Sequence, residues 1–204
     1  NGQIGSISGN FENNTINQFG GNSGYQFGRG FIYNNGSIDE INAVFKNNTS
    51  SLITDYNSWS SIYGSIISQQ SANTSIKNLS GIFDNNNLIV KSQAAVNATG
   101  LVAIINGTIE NININNYVYS EAPLDYAFSQ AGVLYLGSSA AANDAAIKSV
   151  TGSFISNRLI ARQTEGSTEM SPYIRSKGGV MVLASGTLNN LSALFKDNYA
   201  EAIS

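Results

Sequence analysis

The chain has 204 residues, of which 11% are charged and 42% hydrophobic, with a net charge of −3 and neither cysteine nor histidine. This length supports one core or one solenoid without a second domain. The missing side chains exclude disulfides, Cys- or His-ligated zinc, and Ser-His-Asp or Cys-His catalysis, and the weak acidic balance excludes a nucleic-acid footprint.

The chain opens on Asn1-Gly2-Gln3-Ile4, neither basic nor apolar enough for a signal peptide. The first element follows as Ile4, Ile7, Gly9, Phe11 and Asn14, in the spacing I-x-x-I-x-[GA]-x-F-x-x-N. A short apolar strand is expected at Gly30-Phe31-Ile32-Tyr33, and the Gly36-Ser37 turn leads into a second copy: Ile38, Ile41, Ala43, Phe45, Asn48. The loop from Leu52 to Ser75 carries Tyr56, Trp59 and Tyr63. The third copy is Ile76, Leu79, Gly81, Phe83, Asn86, followed by a strand at Leu88-Ile89-Val90. Gly100 to Ile105 reads as another strand, and Gly107-Thr108 as another turn. In the fourth copy Ile109 and Ile112 are in place, but Ile114 and Asn116 fill the small and aromatic positions. Gly132 to Leu136 reads as a strand. The most helix-like stretch, 138–144, is short and has no amphipathic face. The fifth copy is Ile147, Val150, Gly152, Phe154, Asn157, with a strand at Leu159-Ile160-Ala161. An insertion from Arg158 to Lys177 holds Arg162, Glu165, Glu169 and Arg175. Gly179 to Leu183 and the Gly186-Thr187 turn precede the sixth copy: Leu188, Leu191, Ala193, Phe195, Asn198.

The motif keeps its length while its starts, at 4, 38, 76, 109, 147 and 188, are unevenly spaced. A solenoid behaves this way when loops of different length hang from a constant rung. Three strands per repeat predict an all-β fold, a parallel β-helix of about six rungs with variable loops. Stacked rungs lie about 4.8 Å apart. Phe11, Phe45, Phe83, Phe154 and Phe195 are therefore expected as an internal aromatic column, and Asn14, Asn48, Asn86, Asn157 and Asn198 as an amide ladder. The small residue is expected to leave room for the ring beside it. The Ile4-to-Ile7 step has the wrong parity for one flat strand, so a bend is expected between them.

The FxxN element, with a Gly-Gly-apolar strand before it, resembles the passenger repeats of autotransporter adhesins, nearest to the chlamydial polymorphic membrane protein type with FxxN and GGA-[ILV]. FxxN is intact as Phe11–Asn14, Phe45–Asn48, Phe83–Asn86, Phe154–Asn157 and Phe195–Asn198. Gly178-Gly179-Val180-Met181 comes nearest to GGA-[ILV], and Ala131-Gly132-Val133-Leu134 departs further. The resemblance covers nearly the whole chain and implies a right-handed β-helix passenger, exported and exposed for adhesion. Asn1–Ile4 aligns with Asn35–Ile38, so the chain opens partway through a repeat. An interior segment of a longer surface protein, forming one β-helix domain over residues 1–204, is expected.

Outward motif positions hold Ser8, Asn42, Ser80, Asn113, Thr151 and Ser192, a ribbon of short uncharged groups. It reads either as an adhesive surface for a glycan or protein, or as an ordinary solvated β face. Val44, Ile82 and Leu194, two positions on, are expected to point outward as apolar residues, a contact surface unless a loop covers them. Tyr56, Trp59 and Tyr63 could stack on sugar rings or pin their loop to the solenoid. Glu165 and Glu169 share one loop and could serve as acid and base in glycan cleavage, though charge in a loop usually means solvation. Asp39 and Glu40, as strand neighbours, are expected to diverge. Nine N-x-[ST] sequons, at Asn13, Asn35, Asn47, Asn48, Asn73, Asn78, Asn97, Asn106 and Asn190, are a mild excess over composition. The expectation is a non-enzymatic, secreted or cell-surface interaction protein without cofactor or membrane span, meeting a host or neighbouring-cell protein or glycan. The rival is a self-assembling subunit of a filament or surface layer, with copies of itself as partner. A polysaccharide lyase or hydrolase ranks third.

Overall fold

In the computed structural model, residues 2–20, 26–54, 60–91, 95–104, 107–123, 126–130, 132–137, 145–162, 175–177 and 179–203 are described. The regular elements among them are all strands. The reason is visible in one motif: Ile38, Ile41, Ala43 and Phe45 are buried, while Asp39, Glu40, Asn42 and Lys46 are exposed. From Ile41 onward the alternation is that of a half-buried strand. Between Ile38 and Ile41 two residues in succession face solvent, so the strand bends there. Asp39 and Glu40 therefore do not diverge to opposite faces as a flat strand would require.

The first turn comprises β1 (Gln3–Glu12), β2 (Thr15–Gly20), β3 (Gln26–Arg29) and β4 (Ile32–Asn34), and the second β5 (Ser37–Lys46), β6 (Thr49–Thr54), β7 (Ser60–Tyr63) and β8 (Ile67–Gln69). In the third and fourth turns the first two segments run on as one strand. These turns are β9 (Ser75–Lys91), β10 (Ala95–Thr99) and β11 (Val102–Ile104), then β12 (Gly107–Pro123), β13 (Tyr126–Gln130) and β14 (Leu134–Leu136). The fifth holds β15 (Ala145–Ile155), β16 (Arg158–Arg162), β17 (Arg175–Lys177) and β18 (Met181–Leu183). The sixth holds β19 (Thr187–Lys196) and β20 (Tyr199–Ile203).

Equivalent strands of successive turns pair in parallel. The motif strands stack in the order β1-β5-β9-β12-β15-β19, and two further sheets stack as β3-β7-β10-β13-β17 and β4-β8-β11-β14-β18. The fold is a parallel β-helix. Among the described residues five turns contribute to all three sheets and the sixth to one, rather than about six full rungs. Each of the first five turns also has a segment beyond the three expected from sequence, the β3-type strand. Its five versions, QFGR, SSIY, AVNAT, YAFSQ and RSK, share no residue pattern. The insertion from Arg158 to Lys177 is not all loop, since β16 and β17 lie at its two ends. The helix-like stretch 138–144 lies outside the described residues.

The register aligns Ile4, Ile38 and Ile76, then Ile7, Ile41 and Leu79, and Phe11, Phe45 and Phe83. One apolar cluster follows the solenoid axis, with Phe45, Phe83 and Phe154 fully buried. Ring centroids lie 5.0 Å apart for Phe11–Phe45, 4.9 Å for Phe45–Phe83 and 5.2 Å for Phe154–Phe195. Such contacts add about 0.5–1.5 kcal/mol per pair to the area term. The column is not continuous: Asn116 stands between Phe83 and Phe154 in register. Nor is it internal throughout, since Phe195 in the last turn is exposed.

The Asn corner explains the second half of FxxN. The Asn14 backbone N–H and Nδ2 both donate to Asn48 Oδ1, at 3.0 and 2.9 Å, and Asn48 repeats this onto Asn86 Oδ1 at 3.1 and 2.9 Å. Asn157 donates likewise to Asn198. Asn48, Asn86 and Asn198 each also donate to a Phe carbonyl of the previous turn, as Asn48 Nδ2 does to Phe11 O at 2.7 Å. The chain can aim these amides inward because the residue before each takes a left-handed conformation. Asn13, Asn47, Asn85, Ser156 and Asp197 all have φ between 50° and 58°, which Asn and Asp tolerate best. Asn13, Asn47 and Asn85 form a second, outer amide ladder at the same corner.

The fourth turn breaks this order. It is one residue shorter at the corner, the register shifts between Tyr117 and Val118, and Val118 pairs with Asn86 where the ladder Asn would stand. On the far side of this turn, Asn157 Oδ1 is buried without a hydrogen-bond partner, a cost of about 1–3 kcal/mol. The small motif position also differs from its sequence reading. At Gly81 φ is +141°, and a Cβ there would overlap the Ala43 carbonyl oxygen. Close backbone approach, rather than room for the ring alone, requires glycine at that turn.

Candidate interaction face

The outer face of the motif sheet consists of straight columns, because the side-chain period and the rung register repeat together. Ser8, Asn42, Ser80, Asn113, Thr151 and Ser192 stand in one column. Ser80 Oγ donates to Ile41 O at 3.4 Å and Thr151 Oγ1 to Ile112 O at 3.3 Å, so these hydroxyls tie each turn to the one before. Ser80 and Thr151 are half-buried, and Ser8, Asn42, Asn113 and Ser192 are exposed.

A second column contains Asn10, Val44, Ile82, Asn115, Ser153 and Leu194. Ile82 is 45% and Leu194 53% exposed, so no loop covers them. Toward the bend runs a third column: Ser6, Glu40, Asn78, Asn111, Ser149 and Asn190. Asn111 donates to Asn78 at 2.9 Å, and Asn190 to Ser149 at 3.3 Å.

At the bend itself a fourth column holds Gly5, Asp39, Lys77, Glu110, Lys148 and Asn189, all exposed. Its charge alternates from turn to turn. Among the described residues none of its four charged groups makes an ion pair within 4.0 Å. The exposed pair Lys46–Asp84, at 3.4 Å, lies at the other end of the face, and such a pair contributes little to stability.

Other sequence candidates are not brought together. Tyr56 and Trp59 lie outside the described residues. Tyr63 is half-buried at the end of β7 and packs against Ala103 and buried Tyr135. It pins its strand to the solenoid, away from the motif face. Burial, and then the neighbouring Tyr63, push the Tyr135 phenol above the usual tyrosine value. Arg29 lies over the Tyr33 ring at 4.0 Å. Glu165 and Glu169 lie outside the described residues. Among the described residues no group of three or more acidic residues could hold a metal ion, and no helix is long and apolar enough to cross a membrane. Of the sequons, Asn48 is fully engaged in the inner ladder, whereas Asn13, Asn35, Asn47, Asn73 and Asn190 are exposed.

Sequence reasoning found the polar and apolar columns but missed the charged one. Its signal was present, since Asp39, Lys77, Glu110 and Lys148 each follow the first Ile of the motif directly. No family model, curated protein or solved structure matches this chain.

Proposed function

We propose that this chain is a non-enzymatic β-helix protein, secreted or displayed at a cell surface, whose motif-sheet face is an adhesin-like interaction surface. One observation carries the reading. Ile82 and Leu194 stand exposed beside in-register columns of hydroxyl, amide and charged side chains. Exposed apolar residues rimmed by polar ones suit a contact that must be made and released in water. The FxxN repeats support export by their likeness to autotransporter passengers. The partner class is a protein or glycan on a host or neighbouring cell. A second reading, a self-assembling subunit of an extracellular filament or surface layer, draws on the same face, because a regular lattice of side chains can tile against copies of itself.

The test is binding of the labelled chain to intact cells and to immobilised matrix proteins and glycans. The reading expects saturable binding that is lost in the double variant Ile82→Lys, Leu194→Lys. Equal binding by chain and variant would remove the face from the account. Reducing-end release from a polysaccharide, abolished by Glu165→Gln or Glu169→Gln, would replace adhesion with glycan cleavage.

A further inference from the structure

We propose that the partner this face fits is a second copy of the chain, laid antiparallel about a two-fold axis that lies in the face along the strand direction. The proposal rests on the reading of the motif-sheet face as the interaction surface. Such an axis keeps every column opposite itself and reverses the order of turns, so the first turn faces the sixth, the second the fifth and the third the fourth. Asp39 then stands opposite Lys148, and Lys77 opposite Glu110, each pair formed twice by symmetry. At the far end of the face Glu12 of the first turn stands opposite Lys196 of the sixth. The remaining charges meet neutral positions: Glu40 faces Ser149, Lys46 faces Ile155, and the position across from Asp84 is held by an uncharged residue. No like charges are opposed.

The alternation also rejects a one-turn slip. Sliding the pair by one turn would place Asp39 opposite Glu110 and Lys77 opposite its own counterpart, and like-charge juxtaposition of this kind rejects a wrong alignment. In the matched register Asn42 faces Thr151 and Ser80 faces Asn113, a donor-and-acceptor group opposite another in each case. Val44 and Ile82, adjacent turns of the apolar column, are removed from water by the same contact. An isologous contact of this kind closes on itself. The product is therefore a pair, not a filament.

Alternating charge could instead serve only to keep like charges off neighbouring turns within one chain. A charge swap separates the two roles. Lys77→Glu alone opposes Glu110 with a like charge twice. The double variant Lys77→Glu, Glu110→Lys restores complementarity across the two-fold, yet gives its own column the order −, −, +, +. Sedimentation of the intact chain should show a concentration-dependent monomer–dimer equilibrium, weakened at least about tenfold by Lys77→Glu and recovered in the double variant. A short bismaleimide should couple Asn42→Cys to Thr151→Cys when the two variants are mixed, and should couple neither variant to itself. A chain that stays monomeric, a double variant no better than the single one, or self-coupling of Asn42→Cys overturns the proposal. If the chain stays monomeric while Ile82→Lys, Leu194→Lys still abolishes binding to cells or matrix, the second copy is the wrong partner and the face survives. If it neither dimerises nor binds, the face itself falls.

Discussion

Replacing Phe83 with alanine should cost about 3–5 kcal/mol, and replacing Phe45 should cost more. Phe83 is fully buried and stacks on Phe45 at 4.9 Å. Its loss removes about 1.5–3 kcal/mol of burial and one ring pair, and leaves a cavity between turns held apart by the parallel pairing of β9 with β5 and β12. Phe45 has rings on both sides, Phe11 at 5.0 Å and Phe83 at 4.9 Å. Its truncation should exceed that of Phe83 by one ring pair, about 0.5–1.5 kcal/mol. Phe11, only half-buried with one partner, should cost the least. Urea titration followed by far-UV circular dichroism gives the order from the midpoint shifts. Amide exchange in the second and third turns shows whether the loss is local, because linked turns need not unfold together. A cost below about 1 kcal/mol for Phe83→Ala, far under the usual range for a buried ring, would refute the column as a source of stability. So would a Phe45→Ala variant no worse than Phe83→Ala.

Asn48→Ala removes four hydrogen bonds, two accepted from Asn14 and two donated to Phe11 O and Asn86 Oδ1. It should cost about 3–5 kcal/mol, against about 1 for the exposed Asn14→Ala, in the same titration. Repairing the fourth turn with Ile114→Gly and Asn116→Phe places a ring in register between Phe83 and Phe154 and should raise the midpoint by the equivalent of about 1–3 kcal/mol; a lower midpoint would mean the turn has closed around other contacts. The raised Tyr135 phenol makes the folded chain hold a proton that the unfolded chain releases from about pH 10. Its contribution is present below that pH and lost above it, so Tyr135→Phe should flatten the alkaline fall in stability, measured as midpoint against pH. An unchanged slope would place the Tyr135 hydroxyl in water.

The parallel β-helix was legible because a solenoid writes its register into the chain. Phe45 and Phe83 must stack on each other, so they recur with fixed companions at fixed distances. The Asn ladder was legible for the same reason, as each amide needs its counterpart in the next turn. The β3-type strands left no such trace. They pair through backbone hydrogen bonds, with no column of like residues to reveal them. The left-handed residues before each ladder Asn escaped notice because three residue types, Asn, Ser and Asp, can fill that position. Asp39 and Glu40 were misread for a local reason: the bend turns both outward, and only comparison across turns exposes the alternation with Lys77, Glu110 and Lys148. Of the candidate site, the Ser8 and Val44 columns could be read from strand parity, whereas the setting of Tyr63 against Tyr135 depends on how two different sheets of successive turns meet.

The most direct measurement of the central claim is hydroxyl-radical footprinting of the chain, free and bound to whichever partner it saturates. Val44, Ile82 and Leu194 on the motif face should lose reactivity on binding, while Phe19, 76% exposed on β2, and Tyr33 on β4 should keep theirs. Protection of Phe19 and Tyr33 with the motif face left reactive would contradict the account.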